Sequence, residues 1–186
     1  IHPHRESEII TKYFAHPKLI EAAEVLFGNE VEGTQSWVYF KPPGQLGRDM
    51  HQNAFYIGCN HNEVLNFAIA LDNHDDGNGS VWTLEGSHRL PTLPIQIDEE
   101  RAKTNPKNWR NERGKPCVLP EGHNFPKVEG RVKKGDVVIL HSHTVHGSEP
   151  NNSDRMRRSL LYNYVQKGIN FKQGNHMKRE RYDLYD

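Results

Sequence analysis

Val137-Val138-Ile139-Leu140-His141-Ser142-His143-Thr144-Val145-His146-Gly147-Ser148, with Arg157 nine residues later, decides the fold. The apolar run is the signature of a buried strand, and it ends in three closely spaced histidines. A second histidine segment, His51-Gln52-Asn53, lies far upstream, just after a Pro-Gly loop. Two histidines on separate strands can meet across a barrel and hold one metal ion. An arginine on the strand after the second histidine can grip a carboxylate beside that metal, because a planar guanidinium binds a carboxylate with two parallel hydrogen bonds.

Outward from this stretch, the chain reads as many short strands and one clear helix. Pro17 suits the first position of a helix that runs over Lys18 to Phe27. Leu19, Ala22, Ala23 and Leu26 supply its buried face, and Gly28-Asn29 stops it. Strands are expected over Thr34 to Phe40, His51 to Ile57, Val64 to Leu71 and Ser80 to Leu84. Further strands are expected over Gly130 to Val132, Asp136 to His141 and Ser159 to Val165. Short strands between Gly- and Pro-rich turns argue for an all-β fold with flanking helices, a double-sheet jelly roll of the cupin-like type. Residues 91 to 130 differ: they hold six of the eleven prolines, many charges and few periodic apolar positions, the character of a lid, a binding loop or a disordered segment.

Bulk properties narrow the function class. The 186 residues suffice for one domain with its own core, and a single domain over residues 1 to 186 is expected. Lys and Arg total 24 and Asp and Glu total 24, so no basic excess points to nucleic acid or to a membrane surface. The mean hydropathy of -0.85 implies long wet loops. No membrane-spanning run or signal peptide is evident. Cys59 and Cys117 lie in no CxxC pair and read as free thiols of a reducing, cytoplasmic setting.

On a strand, His51 and Asn53 would share one face, as a ligand pair needs. His146, with a hydroxyl at Ser148 and Arg157 beyond, completes a layout suited to a non-haem Fe(II) site with open positions for a co-substrate and O₂. A competing reading stands beside it: His141, His143 and His146 as a local zinc site lacking an evident fourth ligand. His51 is also compatible with a solvated position in a loop, and the histidine-rich strand end with a polar lining.

Four segments resemble the phytanoyl-CoA dioxygenase family, which includes ectoine hydroxylase and is related to the non-haem iron halogenases. They are Gln35 to Gly44, His51 to Tyr56, Asn78 to Arg89, and Gly135 to Asn151 with Arg157. They occur in family order and span most of the chain. The resemblance implies a double-stranded β-helix with iron at one open end, Fe(II) and 2-oxoglutarate as cofactors, O₂ and a small-molecule substrate. It implies His51 and His146 as metal ligands, and Arg157 and Ser148 as the groups that hold the distal carboxylate of 2-oxoglutarate. Gln35 matches a co-substrate-contacting glutamine. Arg155, on the same strand face as Arg157, is the second choice for the carboxylate. Family members carry further N-terminal structure, and Ile1-His2-Pro3-His4 has no initiator Met, so the chain is expected to lack its N-terminal elements.

Asn53 departs from the pattern, which has Asp at the third ligand position. A neutral carbonyl oxygen binds a divalent ion more weakly than a carboxylate. Four readings follow: a tolerated ligand in a working oxygenase, an inactivating change, a metal-poor binding protein, or a halogenase. The last ranks lowest, because Asn fills the volume that a halide would need. Asp75 or Asp76 could supply the missing carboxylate only if their loop folds inward. The basic segment Arg101, Lys103, Lys107, Arg110, Arg113 and Lys115 reads first as a solvated charged loop and second as a surface that attracts an anionic substrate.

Overall fold

A computed structural model describes residues 2–97, 116–174 and 178–185. The middle of the 91 to 130 segment, with its basic residues 101 to 115, lies outside them. Among the described residues, eight strands form two four-stranded antiparallel sheets. The first has the order β1 (Val31–Lys41), β8 (Arg157–Gln166), β3 (Val64–Ala70), β6 (Val137–His141). The second has the order β2 (Arg48–His51), β7 (His146–Ser148), β4 (Val81–Leu84), β5 (Lys127–Glu129). Two antiparallel sheets between which the chain crosses repeatedly, with only β4 and β5 consecutive in one sheet, are the jelly roll expected from the sequence.

The helices cover one face of the first sheet. α1 (Glu8–Phe14) and α2 (Pro17–Phe27) pack Phe14, Ile20 and Ala23 against Leu65, Phe67, Leu160, Tyr162 and Tyr164. α2 begins and ends where Pro17 and Gly28 predict, with Gly28 in the left-handed region at φ 69°. α1 is absent from the sequence reading. Its Ile9-Ile10-Thr11 run is a poor helix former, and tertiary contacts hold it. The Tyr162 hydroxyl donates to the Ile10 carbonyl at 2.7 Å and the Tyr164 hydroxyl to the Phe14 carbonyl at 2.8 Å. Phe14 also packs so tightly on β1 that a Cβ on Gly33 would lie 2.5 Å from its ring.

The opposite face of the same sheet looks inward and is polar. Across the β1–β8 ladder, Gln35 pairs with Asn163, Trp37 with Leu161, Tyr39 with Ser159 and Lys41 with Arg157. Directly opposed residues share a face, so these side chains line the space between the sheets. Gln35, Lys41, Asn163, Ser159 and Arg157 are all buried.

Two expected strands differ. β2 ends at His51, and Asn53–Ile57 is a short helix, α3, stopped by Gly58 at φ 67°. Its five residues are too few to show a period of their own. The expected strand over Gly130 to Val132 begins earlier, at Lys127, and Val132 makes only an isolated bridge to His74. Among the described residues, no helix is long and apolar enough to cross a membrane.

Candidate functional site

β2 and β7 lie side by side in the second sheet, and their register sets His51 directly opposite His146. The ring centroids are 4.2 Å apart, inclined at 49°. Both rings are anchored in the same way. Nδ1 of His51 donates to the Asp49 carbonyl at 2.9 Å, and Nδ1 of His146 to the Thr144 carbonyl at 2.8 Å. A proton fixed on Nδ1 leaves the Nε2 lone pair free, the arrangement in which a histidine ligates a metal. Nε2 of His51 is buried without a hydrogen-bond partner. Burial holds His51 well below its ordinary pKa and brings His146 down to about 4, with Arg48 pushing in the same direction on both. Both rings are therefore neutral at pH 7.

Gly147 lets β7 sit this close to its neighbours. A Cβ there would lie 2.5 Å from the Trp82 ring of β4 and 2.9 Å from the Arg48 carbonyl of β2.

Asn53 opens α3, two residues beyond His51. Gln52 between them is extended, with φ -114° and ψ 135°, which turns the flanking side chains to one side and its own to the other. The Gln52 amide is fully engaged. It donates to the His143 carbonyl at 2.7 Å and the Pro91 carbonyl at 3.1 Å, and accepts from the Leu93 N–H at 2.7 Å. Among the described residues, no Asp, Glu, Cys or further His joins His51 and His146 as a third ligand. Asp75 and Asp76 do not fold inward: they pair with Arg155 and Arg131 at the surface.

Arg157 is buried at the start of β8, over the Tyr39 ring at 5.2 Å. Its Nε has no hydrogen-bond partner, and it meets no carboxylate among the described residues. Burial lowers its pKa. Arg155 is excluded from this space, because its guanidinium is spent on Asp75 at 2.8 Å. Ser148, two residues beyond His146 on β7, accepts from Lys41 Nζ at 2.9 Å and from the Arg48 N–H at 3.2 Å. Its own hydroxyl proton can still donate. Gln35 sits deeper. It donates to Asn163 Oδ1 at 2.6 Å and accepts from Arg179 Nε at 2.9 Å.

Sequence reasoning missed Lys41, Trp37 and Arg48. Lys41 is fully buried and reaches Ser148 and the Gly79 and Glu149 carbonyls. Trp37 presents a buried, unpartnered indole N–H. The signal was present: from Gln35, a period of two along β1 selects Trp37, Tyr39 and Lys41. His141 and His143, by contrast, do not share a site with His146, so the local zinc triad is not formed as the sequence suggested.

The family model for phytanoyl-CoA dioxygenase (PhyH) matches residues 2–159. The chain belongs to the phytanoyl-CoA dioxygenase family. A probable alpha-ketoglutarate-dependent hypophosphite dioxygenase of Stutzerimonas stutzeri is 29% identical over 171 residues, covering 88% of this chain and 55% of the relative. The peroxisomal phytanoyl-CoA dioxygenase of Rattus norvegicus is 22% identical over 165 residues, covering 86% and 47%. The chain thus spans about half the length of the curated relatives it matches. Among solved structures, the epimerase SnoN in complex with Fe3+, alpha ketoglutarate and nogalamycin RO superposes with a TM-score of 0.72 at 21% identity, over 89% of this chain and 62% of that one. At that identity the likeness establishes the shared jelly-roll fold of this family member.

Proposed function

We propose that this chain carries the catalytic core of an Fe(II)- and 2-oxoglutarate-dependent dioxygenase that hydroxylates a small molecule. The observation that carries the reading is the facing pair His51 and His146, each with Nδ1 donated to a carbonyl and the first with an orphaned, buried Nε2. Such a pair fits a divalent ion, since two neutral imidazoles 4.2 Å apart each keep a lone pair on Nε2. Asn53, on the same side of the chain as His51, would add an amide oxygen. Bound iron supplies O₂ activation coupled to oxidative decarboxylation of 2-oxoglutarate. The protein's part is binding and orientation. Arg157 would pair with the distal carboxylate of the co-substrate and Ser148 would donate to it, while the sheets exclude water. Trp37 offers one more donor to a polar ligand.

The test is anaerobic Fe(II) uptake followed by 2-oxoglutarate turnover to succinate. The wild type should show both, and His146→Ala neither. Turnover that survives His146→Ala would end the assignment.

One feature favours a second reading, a ligand-binding family member with weak catalysis. The third ligand is neutral, and Arg48 places a positive charge beside both histidines, so the site attracts a cation less than a two-histidine, one-carboxylate site does. Metal-independent binding of 2-oxoglutarate without turnover is its mark.

A further inference from the structure

A second group of histidines lies apart from the pair above. His61, from the turn before β3, joins His141 at the end of β6 and His143 in the following turn. Each offers a ligand atom within 4.8 Å of the other two. The ring centroids of His61 lie 5.0 Å from His141 and 4.7 Å from His143, and the last two are 5.6 Å apart. We propose that His61, His141 and His143 form a second, structural metal site that takes a borderline divalent cation, Zn²⁺ being the fitting choice.

The hydrogen bonds prepare two of the rings for this. Nε2 of His61 donates to the His88 carbonyl at 2.6 Å, and Nε2 of His141 to Asn62 Oδ1 at 2.8 Å. Each proton is thereby fixed on Nε2, and each Nδ1 keeps its lone pair. A metal-ligating histidine commonly donates its other ring N–H to a protein oxygen in this way. On His141 that lone pair now takes only a backbone N–H from His143 at 3.1 Å. His143 is buried, with one ring nitrogen 3.2 Å from the Ser142 hydroxyl and the other 3.2 Å from the Thr92 hydroxyl. Either hydroxyl can rotate to donate or accept, so one nitrogen can be released to a metal.

The chemistry of the group suits zinc. Three neutral imidazoles and one water complete a tetrahedral centre with Zn–N bonds of about 2.0–2.1 Å. Closing from the present spacing needs a small movement, and His61 is exposed and can pivot about its bond to the His88 carbonyl. The side open to solvent admits the ion. Burial, with repulsion from His143, His61 and His88 on His141 and from His61 on His143, holds both near pKa 4, so protons do not compete at neutral pH. Glu63 raises the pKa of His143, a favourable charge for a cation.

Such an ion would brace the frame of the first site. The turn that carries His143 accepts from the Ala54 N–H through Ser142 at 2.9 Å and from the Gln52 amide through His143 at 2.7 Å. It then delivers His146. Cross-linking it to the His61 turn would stiffen both histidine segments at once.

The inference does not rest on the dioxygenase reading, and the experiment separates them. Chelator-treated His146→Ala protein, in which the first site is broken, is titrated with Zn²⁺ by calorimetry, and its thermal unfolding is followed with and without Zn²⁺. We expect one Zn²⁺ per chain and a raised unfolding temperature. Adding His61→Ala, an exposed change that leaves the fold intact by circular dichroism, should weaken binding more than about tenfold and remove the thermal shift. Absence of Zn²⁺ binding in His146→Ala, or undiminished binding after His61→Ala, overturns the second site.

Discussion

Lys41 and Arg157 stand directly opposite each other across the β1–β8 ladder, two buried cations on one inward face. Like charges at opposed positions are destabilising, and a buried guanidinium without a carboxylate is costly. Lys41 meets neutral oxygens, and Arg157 meets a tyrosine ring. In the function proposed above, Arg157 would meet the distal carboxylate of 2-oxoglutarate.

Arg157→Met should therefore separate binding from stability. Removing the guanidinium should weaken 2-oxoglutarate binding by about 2–5 kcal/mol, read by anaerobic calorimetry. The same change should stabilise the ligand-free protein by about 1 kcal/mol or more, read as a higher unfolding temperature. Arg155→Ala should leave 2-oxoglutarate affinity unchanged, since Arg155 serves Asp75 at the surface. Equal affinity in wild type and Arg157→Met would remove Arg157 from the site.

Asn53→Asp should raise Fe(II) affinity by tenfold or more, about 1.4 kcal/mol or above. The added charge would offset Arg48 and complete two histidines and a carboxylate. Uncoupled conversion of 2-oxoglutarate to succinate should rise with it. Unchanged affinity would mean that Asn53 does not face the metal.

The metal-free protein should lose stability as pH falls from about 6.5 towards 4. His4, His141, His143 and His146 are all held down to about 4 in the folded state, chiefly by burial. Their unfolded counterparts titrate near 6.5. Between these values the unfolded chain takes up protons that the native state refuses, so unfolding is favoured. Above about pH 6.5 these groups contribute no pH dependence. Asp72, Asp75 and Asp76 are depressed by their arginine partners, so their contribution is lost only below the ordinary carboxylate range. Urea midpoints of chelated protein at pH 7.5, 6, 5 and 4.5 measure the slope, and a flat series would refute it.

Gly147→Ala should cost about 1–3 kcal/mol and reduce metal uptake, because the added methyl meets Trp82 and the Arg48 backbone at once. Denaturant unfolding and Fe(II) titration of the variant check both effects.

Much of this was legible in the sequence, for physical reasons. β3 and β6 are apolar runs bounded by turns, and α2 has a proline at its start and a glycine at its end. The pairing of His51 with His146 was inferred from two strands and a resemblance, and the ladder sets them opposite. The residues that escaped depend on tertiary contact. α1 exists because two tyrosines of β8 hold its carbonyls. α3 is too short for a period of its own. Lys41 looked like the end of a strand, since nothing local shows that a lysine is fully buried. His61 lies eighty residues before His141, and only the β3–β6 pairing brings them together.

The register that opposes His51 and His146 has a consequence for how this site can vary. A β-ladder shifts in whole residues, and a slip of one position would turn either imidazole to the other face of its sheet. The spacing of the two rings is therefore not a continuous variable that loop lengths or distant packing can adjust. It is present in full or missing altogether. A single residue added within His146–Ser148 would turn His146 away, and the ladder already carries a register irregularity between Arg48 and His51 that sets His51 in line. In the function proposed above, fine adjustment of metal strength would fall to the position outside the ladder, residue 53, where this chain carries Asn.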